Sequence, residues 1–387
     1  MKKILFSIFM SGLALSLTAQ SKFQLSHGPY LQEVTTKGAT IVFQTSEKAF
    51  SWVEVKPHGA SDNESVRCYS SKDGLKAAYN TFTSVRMENL EASKAYDYRI
   101  VSKEMRDFQP YKVVFGDSIA TQWYKFSTID PKKKGASIFI TSDMHSDAKK
   151  LEKLLTLADY KTCDAFFYAG DMMNYIDQPE APFTSFVDTS VKLFASSIPF
   201  EIVRGNHETR GNLARTYSSY FPKKDGKIYG SYLLGDVMIV MLDSGEDKVE
   251  NHWVYAGLTD YDAYRAEQAE WLQALVRTKE YKKAKYRIVI SHFPMVMGQE
   301  WKDEQTWFGW EDAIHKFLPI LNKADVDLLV SGHTHRFYYH DCGTDGNTFP
   351  VLEQGGMCAA RLELYDGKIH LKVMDTDGNM LKDAVLN

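Results

Sequence analysis

The chain has 387 residues, 44% of them apolar and 25% charged, with a formal net charge of −4. That length exceeds one ordinary domain, and the balance is that of a globular protein rather than a disordered or fibrous chain. The charge is spread without a basic stripe, so nucleic acid is offered no electrostatic footprint.

Residues 1–19 carry the pattern of an export signal: Lys2 and Lys3, an apolar run from Ile4 to Leu17, then Thr18 and Ala19. The run is too short for a comfortable membrane span. The mature chain is expected to begin near Gln20, free of membrane spans, in a bacterial-type periplasm or outside the cell; an uncleaved anchor is the alternative. Residues 22–128 read as an all-β sandwich, with alternating runs at Thr40–Thr45, Trp52–Lys56, Tyr96–Ser102 and Trp123–Thr128. The charged stretch from Asp130 to Gly135 reads as a solvated hinge.

Residues 136–387 read as one α/β domain. Five apolar runs of strand length, Ser137–Thr141, Ala165–Ala169, Phe200–Val203, Arg287–Ile290 and Leu328–Val330, alternate with helical stretches. Each run leads into a chemically loaded string. In order these are Asp143-Met144-His145, Gly170-Asp171, Gly205-Asn206-His207-Glu208, Ser291-His292 and Gly332-His333-Thr334-His335. Ligands bind at the carboxyl ends of strands in open α/β sheets, which is where every string falls. Singly, Asp143 reads as a helix cap, Gly170-Asp171 as a turn and His292 as a half-buried core histidine. Jointly the strings supply two Asp, one Asn and four His, with His207 left over. That set suffices for two divalent ions sharing a carboxylate, an arrangement that clamps both oxygens of a phosphoryl displacement.

These strings resemble the D-x-H, GD, GNH(E/D), H and GHxH motifs of the calcineurin-like metallophosphoesterases. The resemblance implies one ion on Asp143, His145, Asp171 and His335 and a second on Asp171, Asn206, His292 and His333. It implies His207 as the proton donor to the leaving group, or as a stabiliser of developing charge, with Glu208 orienting its neighbours. It also implies a catalytic fold of two sheets flanked by helices, behind a fibronectin-III-like sandwich. Gly28-Pro29-Tyr30-Leu31-Gln32, the run Ala39–Thr45 and the segment Glu267–Leu272 are similar to the purple acid phosphatase branch. Two departures matter. The purple enzymes have glycine where this chain has His145, and the tyrosine of their GDxxY motif is replaced by Asn174, with Tyr175 one place late. An imidazole in place of a phenolate suits zinc, manganese or ferrous iron. The arginine that serine/threonine phosphatases carry after GD is also missing, leaving Arg204, Arg210 and Arg336 as candidates for a phosphate grip.

Two aromatic segments lie outside the motifs: Ser244–Tyr264, and Met295–Trp310 with Trp301, Trp307 and Trp310. Loops at strand ends carry specificity, so these tryptophans are expected to stack a planar or sugar leaving group. Of Cys68, Cys163, Cys342 and Cys358, the last two flank a turn-rich loop and form the best disulfide pair. The tail from Ala360 reads as two strands around Asp366-Gly367 and a terminal turn at Asp377-Gly378. The expected function is hydrolysis of small phosphate monoesters by a hydroxide bridging the two ions. A phosphodiesterase on the same metals is the runner-up, and a non-catalytic surface binding protein a distant third. The sequence gives no reading of oligomeric state.

Overall fold

The computed structural model describes residues 22–298 and 307–386. The segment read as an export signal lies outside the described residues, and so does Trp301.

The amino-terminal region forms a seven-stranded antiparallel sheet. Its organising element is the long strand Ala39–Pro57, whose first half pairs with Leu25–Gln32 and Asn80–Met87. Its second half pairs with Ala95–Gln109 and Val66–Cys68. In Ala95–Gln109 every second residue from Tyr96 to Ser102 is buried, the period-two pattern of a strand with one face on a core.

Residues from 136 onward build two six-stranded sheets. In the first, Ala136–Thr141, Ala165–Tyr168 and Phe200–Ile202 run parallel, and Cys358–Tyr365, Lys368–Asp375 and Met380–Leu386 continue antiparallel. In the second, Val237–Leu242, Tyr286–Ser291, Leu328–Ser331 and Val351–Gln354 are parallel. Alternation along the strands decides what packs where. Ile138, Ile140 and Phe167 face Ile239, Ile288, Ile290 and Val330 in a core between the sheets. Phe139, Phe166 and Tyr168 point the other way, onto Leu151, Leu154 and Leu155 of helix Ala148–Leu157. Asp147 starts that helix by accepting the Lys150 N–H. On the far face, Met238, Val240 and Leu242 meet Leu272 and the stripe Trp310, Ala313, Phe317 and Leu321 of helix Phe308–Leu321. Strands covered on both faces read as unbroken apolar runs, which is why they stand out in the sequence.

Three expectations are corrected. The 130–135 stretch is tied down rather than a free hinge: Gly135 N donates to Asp236 (2.7 Å), and Lys133 pairs with Asp164. Asp377-Gly378 does not end the chain's structure but joins a third tail strand, Met380–Leu386. All four cysteines are free. Cys358 is buried with its thiol on Gln354 O, whereas Cys342 lies exposed in the 341–347 loop. Among the described residues no helix is long and apolar enough to cross a membrane.

Candidate metal centre

The donor loops come from both sheets. Asp143, Asp171 and Asn206 follow three strands of the first sheet, and His292, His333 and His335 follow two strands of the second. Close approach of the loops depends on two glycines. A Cβ at Gly205 would lie 2.2 Å from Asp171 Oδ1, and one at Gly332 would lie 2.2 Å from Asp143 Oδ2. Five of the seven candidate donors, Asp143, His145, Asp171, His333 and His335, have φ between 47° and 76°. Left-handed backbone on residues other than glycine is costly and gathers at functional sites.

One ligand atom from each of Asp143, His145, Asp171 and His335 falls within 4.8 Å of the others. His335 Nε2 lies 3.3 Å from Asp143 Oδ1 and 3.0 Å from His145 Nε2. His145 Nδ1 is turned to Asn174 Oδ1 (3.1 Å), which leaves Nε2 with the lone pair a cation needs. Asn174 thus occupies the place of the missing tyrosine as a support for His145, while Tyr175 is 52% exposed. The carboxylates are aimed by backbone: His333 N donates to both oxygens of Asp143 (3.1 Å), and His207 N to Asp171 Oδ1 (2.9 Å).

A second donor group shares Asp171. His292, fully buried, gives Nδ1–H to Ala169 O (2.8 Å) and points Nε2 at Asp171 Oδ2 (3.2 Å) and Asn206 Oδ1 (3.0 Å). Rotating the Asn206 amide by half a turn would satisfy protein hydrogen bonds alone. Unrotated, it converges its oxygen with a carboxylate oxygen and His292 Nε2, a set completed by a proton on that nitrogen or, in its place, by a metal ion. The His333 ring lies 5.2 Å from that of His292 and keeps a buried Nε2 with no hydrogen-bond partner among the described residues. Two carboxylates, an amide oxygen and neutral imidazoles are a donor set that fits divalent metals.

Burial opposes ionisation of Asp171, but the adjacent His292 outweighs it and holds the carboxyl far below its ordinary range. His292 is itself pushed up to about 10, Asp171 overcoming the effect of burial. His333 is driven down to about 3 by burial and by His292. His207 and His145 are lowered chiefly by burial, while His335 is raised by its bond to Asp143.

His207 stands outside the donor groups. Its Nδ1 donates to Asn174 O (3.0 Å), its Nε2 is 3.9 Å from Asp171 Oδ2, and Arg210 Nη1 reaches the same Nε2 at 3.0 Å. Glu208, fully buried, accepts N–H bonds from Asp171, Met172, Met173 and Gly205 (2.7–3.2 Å) and so clamps the two loops together. It is a positioning residue rather than a reacting group. Arg204 is half-buried against Asp243 (2.8 Å) and lines a cavity of about 330 Å³ together with Tyr261 and Tyr264. The expected substrate stack at Trp310 is corrected: it is 1% exposed, donates to Pro294 O and turns its edge to His333 (5.2 Å). Trp307 packs on the same ring at 5.5 Å. Residues 237–242 escaped the strand reading although they are uniformly apolar. Asn174 and Arg210 carry no spacing signal for the contacts they make here.

The family profile of the calcineurin-like phosphoesterases matches residues 136–337. Purple acid phosphatase 21 of Arabidopsis thaliana is 25% identical over 187 residues, covering 45% of this chain and 38% of that protein. Serine/threonine-protein phosphatase CPPED1 of Mus musculus is 24% identical over 176 residues, covering 44% of this chain and 53% of that protein. The match therefore spans about half or less of each of these relatives. In fold, the chain resembles purple acid phosphatase PPD1 from yellow lupin (Lupinus luteus) seeds, with a TM-score of 0.68 at 14% identity, over 92% of this chain and 73% of that one. It also resembles PhoD, with a TM-score of 0.60 at 12% identity, over 94% and 90%. Since all five donor strings fall inside the matched region, the chain belongs to the calcineurin-like phosphoesterase family.

Proposed function

We propose that this chain is an exported phosphohydrolase of small phosphate monoesters that uses two divalent ions, zinc, manganese or iron. Asp143, His145, Asp171 and His335 would hold one ion, and Asp171, Asn206, His292 and His333 the other. The observation that carries this reading is the convergence of two donor groups on the single carboxylate of Asp171. Export rests on the pattern of residues 1–19. When bound, the ions supply Lewis acidity, which lowers the pKa of water and offsets phosphate charge.

The protein's own part is positional. Glu208 locks the Asp171 and Asn206 loops in register, Asn174 and Ala169 O fix which nitrogens of His145 and His292 carry the lone pair, and Trp307 and Trp310 wall off His333. Once Arg210 has left its Nε2 and that nitrogen is protonated, His207 would pass the proton to the departing alkoxide while its Nδ1–H stays on Asn174 O.

Metal analysis of the purified Asp171→Ala protein tests the assignment, because removing the shared carboxylate should strip both ions and all turnover. Normal content of both ions in that variant would overturn it. A panel of matched esters tests the substrate class: faster cleavage of diesters than of monoesters would transfer the site to phosphodiesters.

A further inference from the structure

Arg210 lies two residues after Glu208, on the rim of the site, with a quarter of its side chain exposed. Three groups hold it. Its Nε donates to Tyr255 Oη (3.2 Å), its Nη2 lies 3.5 Å from Glu246 Oε1, and its Nη1 donates to His207 Nε2 (3.0 Å). Glu246 is itself buried and braced by Thr209 Oγ1 (3.0 Å). The guanidinium is thus held between Glu246 and Tyr255 on one hand and His207 on the other. Arg204 is engaged by Asp243 instead.

The decisive contact is with Asn206. When the amide oxygen turns toward Asp171 and His292, as a metal donor must, the amide nitrogen sits 2.8 Å from Arg210 Nη2. Two donors then face each other, with Glu246 Oε1 a distant 3.5 Å acceptor for the guanidinium alone, and an oxygen placed between them would accept from both. The bond to His207 is one to a neutral imidazole nitrogen. An anionic oxygen would hold the guanidinium more strongly, because charge-assisted hydrogen bonds are about twice as strong as neutral ones.

We infer that Arg210, with the Asn206 amide nitrogen, binds a nonbridging oxygen of the substrate's phosphoryl group, and that its charge makes the site prefer dianionic monoesters over monoanionic diesters. This rests on the phosphohydrolase reading above. Glu246 and Tyr255 aim the guanidinium, and the loop carrying Tyr255 is thereby part of substrate recognition.

The test uses the full-length, metal-loaded protein with Arg210→Gln and Arg210→Lys. Metal content, affinity for inorganic phosphate by calorimetry, and kcat and KM for p-nitrophenyl phosphate and bis(p-nitrophenyl) phosphate are measured. Arg210→Gln should keep its metals and lose about tenfold or more in phosphate affinity and in monoester kcat/KM, the scale of one charged hydrogen bond. The diester should lose far less, and Arg210→Lys should recover part of the monoester loss. Equal losses on both esters with unchanged phosphate affinity would overturn the inference, and so would a wild-type protein that binds no phosphate. A wild type that binds phosphate in an Arg210-dependent way but cleaves neither ester would defeat the phosphohydrolase reading and leave the anion site standing.

Discussion

The His207 ring makes no hydrogen bond to a donor atom, yet its Nε2 lies 3.9 Å from the carboxylate that both donor groups share. Its removal should therefore spare metal binding and damage chemistry. His207→Ala is expected to keep its metal content and lose roughly two to four orders of magnitude in rate, the range for one general acid. The loss should be smaller for p-nitrophenyl phosphate than for an alkyl phosphate, because nitrophenolate departs without a proton; equal losses would remove the acid role. The donors themselves were readable because each pairs a chemically rare side chain with a strand end. Arg210 was legible only as one of three arginines near a motif, and Asn174 only as a departure from the tyrosine pattern, since their contacts depend on where the 207–209 turn and the 171–175 loop bring them. Trp310 misled for the opposite reason: an aromatic next to a motif looks like a recognition group, but at helical spacing from Ala313 and Phe317 it is core.

Among the elements, the Phe337–His340 and Val351–Gln354 pair bears most directly on the site. His340 joins its two strands through Asp345 (2.8 Å) and Glu353 (2.6 Å), and Glu353 also takes the hydroxyl of Thr334, between the two histidines of the last motif. Burial alone would lower the His340 pKa, but the two carboxylates outweigh it and raise it above the ordinary 6.5. A group with a raised folded pKa adds stability that is complete below about 6.5 and fades as pH climbs through the folded value. The melting temperature of wild type should exceed that of His340→Gln most at about pH 5.5 and least at about pH 9. A difference independent of pH would show that the imidazole acts only as a neutral bridge. Sheet composition was largely legible from apolar runs. The added tail strand was not, because Met380–Leu386 is an edge strand with exposed and half-exposed residues and no alternation of buried ones to betray it.

At the scale of the molecule, the amino-terminal sheet is fastened to the two-sheet half by specific bonds. Tyr30 Oη donates to Tyr220 O (2.7 Å), Gln32 to Phe200 O (2.6 Å) and Tyr98 Oη to Ser196 O (2.8 Å). Leu31 and Ile41 belong to the same apolar cluster as Ile138 and Ile290. The metal centre in turn straddles two sheets, so bound ions should fasten one to the other. Chelation is expected to lower the melting temperature. A site filled at a hundred times its Kd contributes about 2.7 kcal/mol, which stripping the metal would remove. Identical melting curves with and without chelator would mean that the sheets hold the donors in place unaided.

His145 has a φ of 47°, at the position where the purple enzymes' motif has glycine. A glycine accepts that conformation freely, whereas a side chain there costs about 1 kcal/mol. Carrying an imidazole on this backbone therefore costs this chain stability that a glycine would not, a cost set against the donor that the side chain adds to the cluster.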